Sequence, residues 1–393
     1  MAGDQPGPKK KDPLREQDIG GFKLLEAVTP LLERLRPCGA DPKRKLFYDQ
    51  YVSSLLLYFF NPTLTSLRGI QQATGFKKVQ RKLKIRTTSL GSFSEAQSVF
   101  DAELLIPFIE EISDQVRPLR RGDPRLDALD RALTAVDGSL LEALPRMLWA
   151  LWLDAEHRAA KMHVHFEVLK GAPVKLELTE GSASERASLR RMLEPGRFYI
   201  LDRGYLEYAL FEEICRIGSS FVARVKDGSV VETIEEHPLS EEAIKAGVVR
   251  DRVVRLGGNA TREDLPRPVR LVEVRTLSQG KETVLWLVSD RLDLSADLIA
   301  LIFKCRWAVE LFFRWFKCVL GCRHLLAESQ NGLTIQVYVA IIASLLISVW
   351  TGLKPTKRTY EMICFYFQGW VSEEELTAHI QKRSDKELAA QKV

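Results

Sequence analysis

A chain of 393 residues, 46% hydrophobic and 28% charged, has the composition of a globular protein of two or three domains with room for a sizeable core. Its net charge of +5 is unevenly placed: residues 1–125 hold 21 Lys and Arg against 15 Asp and Glu, and no acidic residue lies between Gln50 and Ser94, which reads as a polyanion contact or a solvated basic face. Six scattered cysteines exclude a disulfide framework and point to a reducing compartment such as the cytoplasm, and the start of the chain lacks the apolar run of a secretory signal.

In chain order, residues 1–20 read as a disordered tail. Phe22–Leu35 has the pattern of a short amphipathic helix, and Leu46–Phe60 that of a strongly apolar one. Leu64–Thr74 reads as a helix stopped by Gly75. A basic helix follows at about Lys77–Leu83. Ser92, with Glu95 three residues on, is a capping-box start for a long helix reaching about Val116. Helix, turn, basic helix and long helix together resemble a helix-turn-helix-like DNA-binding arrangement. Its candidate phosphate contacts are Lys77, Lys78, Arg81, Lys82, Lys84 and Arg86. Pro118–Arg125 is a plausible linker.

The pattern then changes to α/β. Ala132–Val136 is a β-prone run ending at Asp137-Gly138-Ser139, followed by the weakly patterned Leu140–Lys161. Met162–Leu169 and Pro173–Leu178 read as strands joined by a turn at Gly171-Ala172. Ala183–Leu193 reads as a helix. Arg197–Leu201 is a buried strand ending at Asp202-Arg203-Gly204-Tyr205. A helix at Leu206–Ile217 and a strand at Ser220–Val225 come next, and about 65 strand-rich residues from Lys226 to Asp290 form an insertion. Helices fill the remainder. Gly332–Leu353 is free of charge, but it contains Thr334, Gln336, Ser344 and Ser348 and lacks flanking anchors, as expected of a buried core helix rather than a membrane span.

Asp297–Gly321 is the most informative stretch. Read as one helix, it places Phe303, Arg306, Glu310, Arg314 and Lys317 within an arc of roughly 80°. Most of the remaining circumference is apolar, which predicts a buried helix. A charged stripe on such a helix must face a cleft, a partner or a ligand, since burying it unpaired costs several kcal/mol. A structural ion pair between Glu310 and Arg306 or Arg314 would satisfy the helix taken alone.

Three carboxylates stand out by position. Asp137 and Asp202 sit at the carboxyl ends of predicted strands, where sites form in α/β sheets. Glu310 lies on the helix that would cover that edge. Brought together they would repel one another unless cations intervene. One or two Mg²⁺ or Mn²⁺ ions suit an all-oxygen site, and a metal pair suits phosphoryl transfer. Turn chemistry for Asp137-Gly138 and a local salt bridge for Asp202-Arg203 are the alternatives. Cys318, Cys322 and His324 could form half a metal site, but no second half follows.

The pattern Phe303-x2-Arg306-x3-Glu310-x6-Lys317 resembles the Tyr-Arg-Glu-Lys signature of bacterial insertion-sequence transposases of the DDE class (the insertion-sequence family four type). Val136-Asp137-Gly138 resembles the family's first aspartate segment, and Leu201-Asp202-Arg203-Gly204-Tyr205 its second. The long β-rich insertion is also typical. The likeness covers about Ala132–Glu328, and one position departs: Phe303 stands where the signature has Tyr, so the phosphate-binding hydroxyl is missing.

The resemblance implies an α+β or α/β fold with an RNase H-like catalytic core. A helical DNA-binding region precedes the core, and C-terminal helices follow it. The expected divisions are a tail at 1–20, a DNA-binding domain at 21–125, a core at 126–225 and 291–330, an insertion at 226–290 and a helical region at 331–393. It implies that Asp137, Asp202 and Glu310 hold two divalent metals, Mg²⁺ or Mn²⁺, for nicking and strand transfer. Excision through a hairpin intermediate is common in the family. Arg306, Lys317, Phe303, Arg203 and Tyr205 would contact DNA, and Trp286 would stack on a flipped base. The expected partners are double-stranded transposon ends and target DNA, with two copies of the chain in a synaptic complex and no membrane. A metal-dependent nuclease of the same fold, or a non-catalytic DNA-binding remnant of a mobile element, are the alternatives.

Overall fold

The computed structural model describes residues 14–39, 43–118, 123–143, 147–152, 157–278, 281–321 and 325–389. Most of the expected tail, residues 119–122 of the expected linker, and Cys322 and His324 of the half metal site lie outside the described residues, as does the side chain of Cys318. Two units emerge. One comprises Met1–Leu105, Val319–Thr351 and Pro355–Val393, and the other Ile106–Cys318 and Gly352–Lys354.

The first unit is helical. At its centre is the helix Gln330–Thr351, long and apolar enough to cross a membrane, yet with 89% of its most apolar stretch buried inside the protein. It packs against the helix Tyr48–Phe60, almost every residue of which is buried. N-terminal and C-terminal helices thus share one core. The helix Leu67–Ala73 and the basic helix Lys77–Leu83 form where the sequence places them.

Two expected helices are broken. Phe22–Leu35 divides into Phe22–Glu26, Thr29–Leu32 and a single 3₁₀ turn at Glu33–Leu35. Pro30, which has no N–H to donate, sits in the first turn of the middle piece. The long helix expected from Ser92 instead starts at Leu90, capped by Ser89 accepting from the Ser92 N–H at 3.1 Å, and ends at Val99. A 3₁₀ turn at Ala102–Leu105 and the helix Ile106–Gln115 follow. Backbone groups freed at the break are taken by Asn331. Its Nδ2 donates to the carbonyls of Gln97 and Phe100, both at 2.7 Å, and its Oδ1 accepts from the Ala102 N–H at 3.2 Å. A remote side chain thereby overrides the local signal, because buried backbone groups must be paired.

The second unit is a mixed α/β structure on one nine-stranded sheet. Its strands are β1 (Ala132–Glu142), β2 (Ala159–Glu167), β3 (Ala172–Glu180), β4 (Arg197–Leu201), β5 (Ser220–Val225), β6 (Val231–Glu236), β7 (Val248–Leu256), β8 (Val269–Ser278) and β9 (Lys281–Ser289). They lie in the order β3-β2-β1-β4-β5-β9-β8-β7-β6. β1, β4 and β5 pair in parallel and the other pairs are antiparallel. The strands of the β-rich stretch extend the same sheet, joined through β9 against β5.

Alternation along the strands sorts the faces. Val136, Tyr199, Leu201, Phe221, Ala223, Val225 and Val288 pack with residues of the helices Glu185–Met192 and Tyr208–Arg216. The helix Ala296–Lys304, absent from that cluster, contacts β4, β5, β7, β8 and β9, and so covers the opposite face. Phe312 of the next helix, Trp307–Gly321, meets Phe166 of β2 at a ring distance of 5.3 Å.

Two expectations in this unit are corrected. β1 does not end at Asp137 but continues to Glu142, because β2 pairs with it over Thr134–Glu142, well past the end of β4. Asp137-Gly138 is therefore strand, not turn. Asp297–Gly321 is not one helix. It breaks at Cys305 and Arg306, where Arg306 N donates to Phe303 O at 3.0 Å and Ala308 N to Cys305 O at 3.0 Å, the short-range bonding of a 3₁₀ turn. The break leaves Trp307 50% and Leu311 37% exposed, so this helix is not buried on all its apolar sides.

Candidate active site

Parallel pairing between β1 and β4 stops at Val136 and Leu201. Both of these side chains enter the core beneath the helix Tyr208–Arg216. Asp137 and Asp202, each one residue further on, therefore start out on the opposite face. β4 has ended by then, and the backbone enters a 3₁₀ turn at Arg203–Tyr205 that Asp202 precedes without capping by its side chain. Glu310 lies in the first turn of Trp307–Gly321.

Arg306 links two of the three carboxylates. Its Nη2 donates to Glu310 Oε1 at 2.6 Å, and its Nη1 stands 3.9 Å from Asp137 Oδ2. Of the two arginines flanking Glu310 in sequence it is thus Arg306 that pairs with it, while Arg314 is exposed and lies over the Trp307 ring at 6.0 Å. Arg224 on β5, a residue the sequence did not single out, places Nη1 3.9 Å from Asp202 Oδ1. That same Asp202 oxygen is buried and accepts no hydrogen bond from the described residues.

The Asp137 carboxyl is pushed up to about 6, chiefly by burial. The Gly138 N–H, which donates to Asp137 Oδ1 at 2.8 Å, and the Arg306 charge pull the other way, while Glu185 and Glu310 add to the rise. Among the described residues no three His, Cys, Asp or Glu side chains stand close enough together to hold a metal ion. The carboxylates are here balanced by arginines.

The other expected contacts are differently placed. Phe303 is half-buried with the Arg306 guanidinium 5.8 Å from its ring centre. Lys317 and Arg203 are exposed. Trp286 on β9 is half-buried against the core on the side of the helix Tyr208–Arg216, with Arg252 5.8 Å over its ring. Tyr205, expected to contact DNA, is 1% exposed: the residue after Gly204 turns into the core. In the helical unit Lys82 pairs with Glu26 and Lys84 with Glu33, each at 2.6 Å, and Lys78 Nζ donates to the Ile19 carbonyl at 2.7 Å. Lys77, Arg81 and Arg86 are exposed and show no ion pair among the described residues.

Comparison with known proteins agrees in kind. The chain is 30% identical over 194 residues to a sequence assigned as transposase y4zB of Sinorhizobium fredii (strain NBRC 101917 / NGR234), a match spanning 49% of this chain and 53% of that relative. It is 25% identical over 263 residues, 67% of this chain and 66% of the relative, to one assigned as the transposase for insertion sequence element IS5377 of Geobacillus stearothermophilus. With one assigned to insertion sequence element IS4SA of Synechocystis sp. (strain ATCC 27184 / PCC 6803 / Kazusa) it shares 21% identity over 77% of this chain and 84% of the relative. The chain thus spans between about half and two thirds of the length of the first two. A cryo-EM structure of the piggyBac transposase synaptic complex with hairpin DNA covers 92% of this chain and 84% of its own at 12% identity, with a TM-score of 0.38, too loose a likeness to build on. Residues 129–346 match the family model described as "Transposase DDE domain", a span that takes in Asp137, Asp202 and Glu310 and exceeds half of the chain. The chain belongs to the DDE transposase domain family.

Proposed function

We propose that the protein is a DNA transposase that binds transposon terminal inverted repeats and cuts and transfers DNA strands at Asp137, Asp202 and Glu310 on an RNase H-like core. The observation that carries this reading is the link through Arg306: one guanidinium reaches Glu310 at 2.6 Å and Asp137 at 3.9 Å, next to the strand end that Asp202 leaves. This contact, between residues far apart in sequence, supports a shared site where β4 ends beside β1 in the middle of the sheet.

Divalent metal use goes with the family in general. The residues fit such an ion by their chemistry. All three are oxygen donors, and the buried Asp202 Oδ1 lacks a hydrogen-bond donor, as a ligand to a hard cation such as Mg²⁺ or Mn²⁺ would. Asp137, Asp202 and Glu310 are the proposed ligands for two such ions, with Arg306 giving up its present contacts. Bound there, the metal would activate the attacking water or 3′-hydroxyl and offset the charge growing on the leaving oxygen.

The chain's own residues do the positioning. Arg306, once released, and the exposed Lys317 and Arg203 offer cations to DNA phosphates, which fix register without reading sequence. Phe303 supplies a ring but no hydroxyl. Trp286 is the candidate base-stacking residue. Residues 21–125 would bind the DNA end, with the ion-pair-free Lys77, Arg81 and Arg86 foremost, and two copies of the chain would hold two ends together.

The test is cleavage of linear DNA carrying the element's terminal repeat, with Mg²⁺ or Mn²⁺, by wild type and Glu310→Gln. Wild type is expected to cut at the repeat boundary, and the variant to lose activity on the order of 10³-fold or more. Equal cutting by the two proteins would refute the site, and binding of the repeat without cutting by wild type would make the chain a DNA-binding remnant.

A further inference from the structure

We propose that a fourth carboxylate, Glu185, is a positioning residue of this site: it is wedged between the two aspartate segments, sets their spacing and supplies charge to the metal held there. The inference rests on the Asp137–Asp202–Glu310 reading above and deepens it.

Glu185 opens the helix Glu185–Met192, whose N-cap Ser184 accepts from the Ala187 N–H. Nothing in its local sequence marks it, but the tertiary structure does. One of its carboxylate oxygens, Oε1, lies 3.2 Å from where a Cβ on Gly138 would stand, and the other, Oε2, lies 3.1 Å from where one on Gly204 would stand. Gly138 follows Asp137 directly, and Gly204 follows Asp202 by two residues. Neither glycine has a positive φ. At both positions a methyl would crowd the same carboxylate, which would have to give way by a few tenths of an ångström. That gives one physical reason for the glycine in Asp-Gly and the glycine in Asp-Arg-Gly-Tyr.

A second observation places this carboxylate within the electrostatics of the site. The Tyr205 hydroxyl is buried and has no hydrogen-bond partner among the described residues; burial above all, and then the charges of Glu185, Asp137 and Asp202 against that of Arg306, hold its proton on. Among the described residues the one ion-pair partner of Glu185 is Lys161, whose Nζ stands 3.6 Å from Oε1 and donates at 3.1 Å to the Ala183 carbonyl. Lys161, Arg306 and Arg224 set three positive charges against the four carboxylates Asp137, Asp202, Glu310 and Glu185, which leaves one negative charge in excess, a condition that favours a divalent cation. Carboxylates that orient ligands from behind commonly change metal affinity 10–100-fold when removed.

The experiment is Mn²⁺ binding by the full-length protein, followed by electron paramagnetic resonance, for wild type, Glu185→Gln, Gly204→Ala and Asp137→Asn, with melting temperatures as a check on folding. Glutamine keeps the wedge and removes the charge, and an alanine at 204 displaces the carboxylate while leaving it charged. Both are expected to weaken Mn²⁺ binding about 10-fold or more with little change in melting temperature, and Asp137→Asn is expected to weaken it further. Wild-type Mn²⁺ affinity in Glu185→Gln and Gly204→Ala, with Asp137→Asn impaired, overturns the role of Glu185 and leaves the three-carboxylate site standing. Wild-type affinity in all three variants overturns the site itself.

Discussion

The helical and sheet units treat charge in opposite ways. Among the described residues, the helical unit buries one charged side chain, Asp49, paired with Arg36 at 3.2 Å, whereas the sheet unit buries Asp251, Arg252, Arg270 and Asp297. In the helical unit several buried serine and threonine hydroxyls turn back onto their own helix, as Ser54 does to the Gln50 carbonyl at 2.8 Å and Thr351 to that of Ile347 at 2.7 Å. In the sheet unit they are outweighed by long-range bidentate pairs, such as Arg270 to Asp251 at 2.5 and 2.6 Å. Apolar packing can hold helices together with considerable tolerance of detail. A site of several carboxylates needs fixed cations at fixed distances, and the sheet unit carries the network that supplies them.

Breaking one of those pairs should be the most damaging single change to stability. Arg270→Ala leaves Asp251, 3% exposed, without its partner, and is expected to cost about 3–5 kcal/mol, since a lone buried charge forfeits its compensation. Urea unfolding measures it. The double variant Asp251→Leu/Arg270→Met should recover most of the loss. A cost below about 1 kcal/mol for the single change would mean that water reaches Asp251 and that the contrast between the units is superficial. The matching change in the helical unit is Ile341→Ala, fully buried in Gln330–Thr351. It should cost about 2–5 kcal/mol through lost burial and a residual cavity, while Ile341→Leu should cost less than about 1.5 kcal/mol. If leucine hurts as much as alanine, the helical core is as exacting as the charged one.

The same contrast decides what could be read from the sequence. The helix Lys77–Leu83 and the strands Arg197–Leu201 and Ser220–Val225 lie where periodicity and Gly stops put them, because their signals are local. Three breaks were invisible. Asn331 ends a helix more than two hundred residues before it in sequence, β2 draws β1 past Asp137, and the 3₁₀ turn at Cys305 and Arg306 interrupts a stretch whose apolar residues run all round. Each depends on a partner distant in sequence or on a backbone adjustment that leaves no mark in residue type. For the proposed site, Asp137, Asp202 and Glu310 stand out in the sequence by residue type and motif, since chemistry restricts which residues can serve. Glu185 and Arg224 do not, because each acts through proximity alone. The burial of Tyr205 was likewise not legible: its place in a short motif says nothing of where its ring lies, and only the fold shows it in the core.

The smallest expected effects belong to the exposed cations of the helical unit, and they separate a free charge from a paired one. Arg81 and Lys82 are neighbours on one helix, both exposed, but Lys82 sits 2.6 Å from Glu26 while Arg81 has no ion pair. Neither substitution to Gln should change stability by more than about 1 kcal/mol, because exposed pairs gain little over water. DNA binding should tell them apart. Each phosphate contact contributes about 0.9 to the slope of log affinity against log salt concentration. Arg81→Gln should lower that slope by about this amount. Lys82→Gln should lower it by less, since Glu26 competes with phosphate for the ammonium. Equal losses would show that DNA strips Lys82 from Glu26 at no measurable cost. No change in either would move the DNA-binding face away from this helix and leave its charge to solvent.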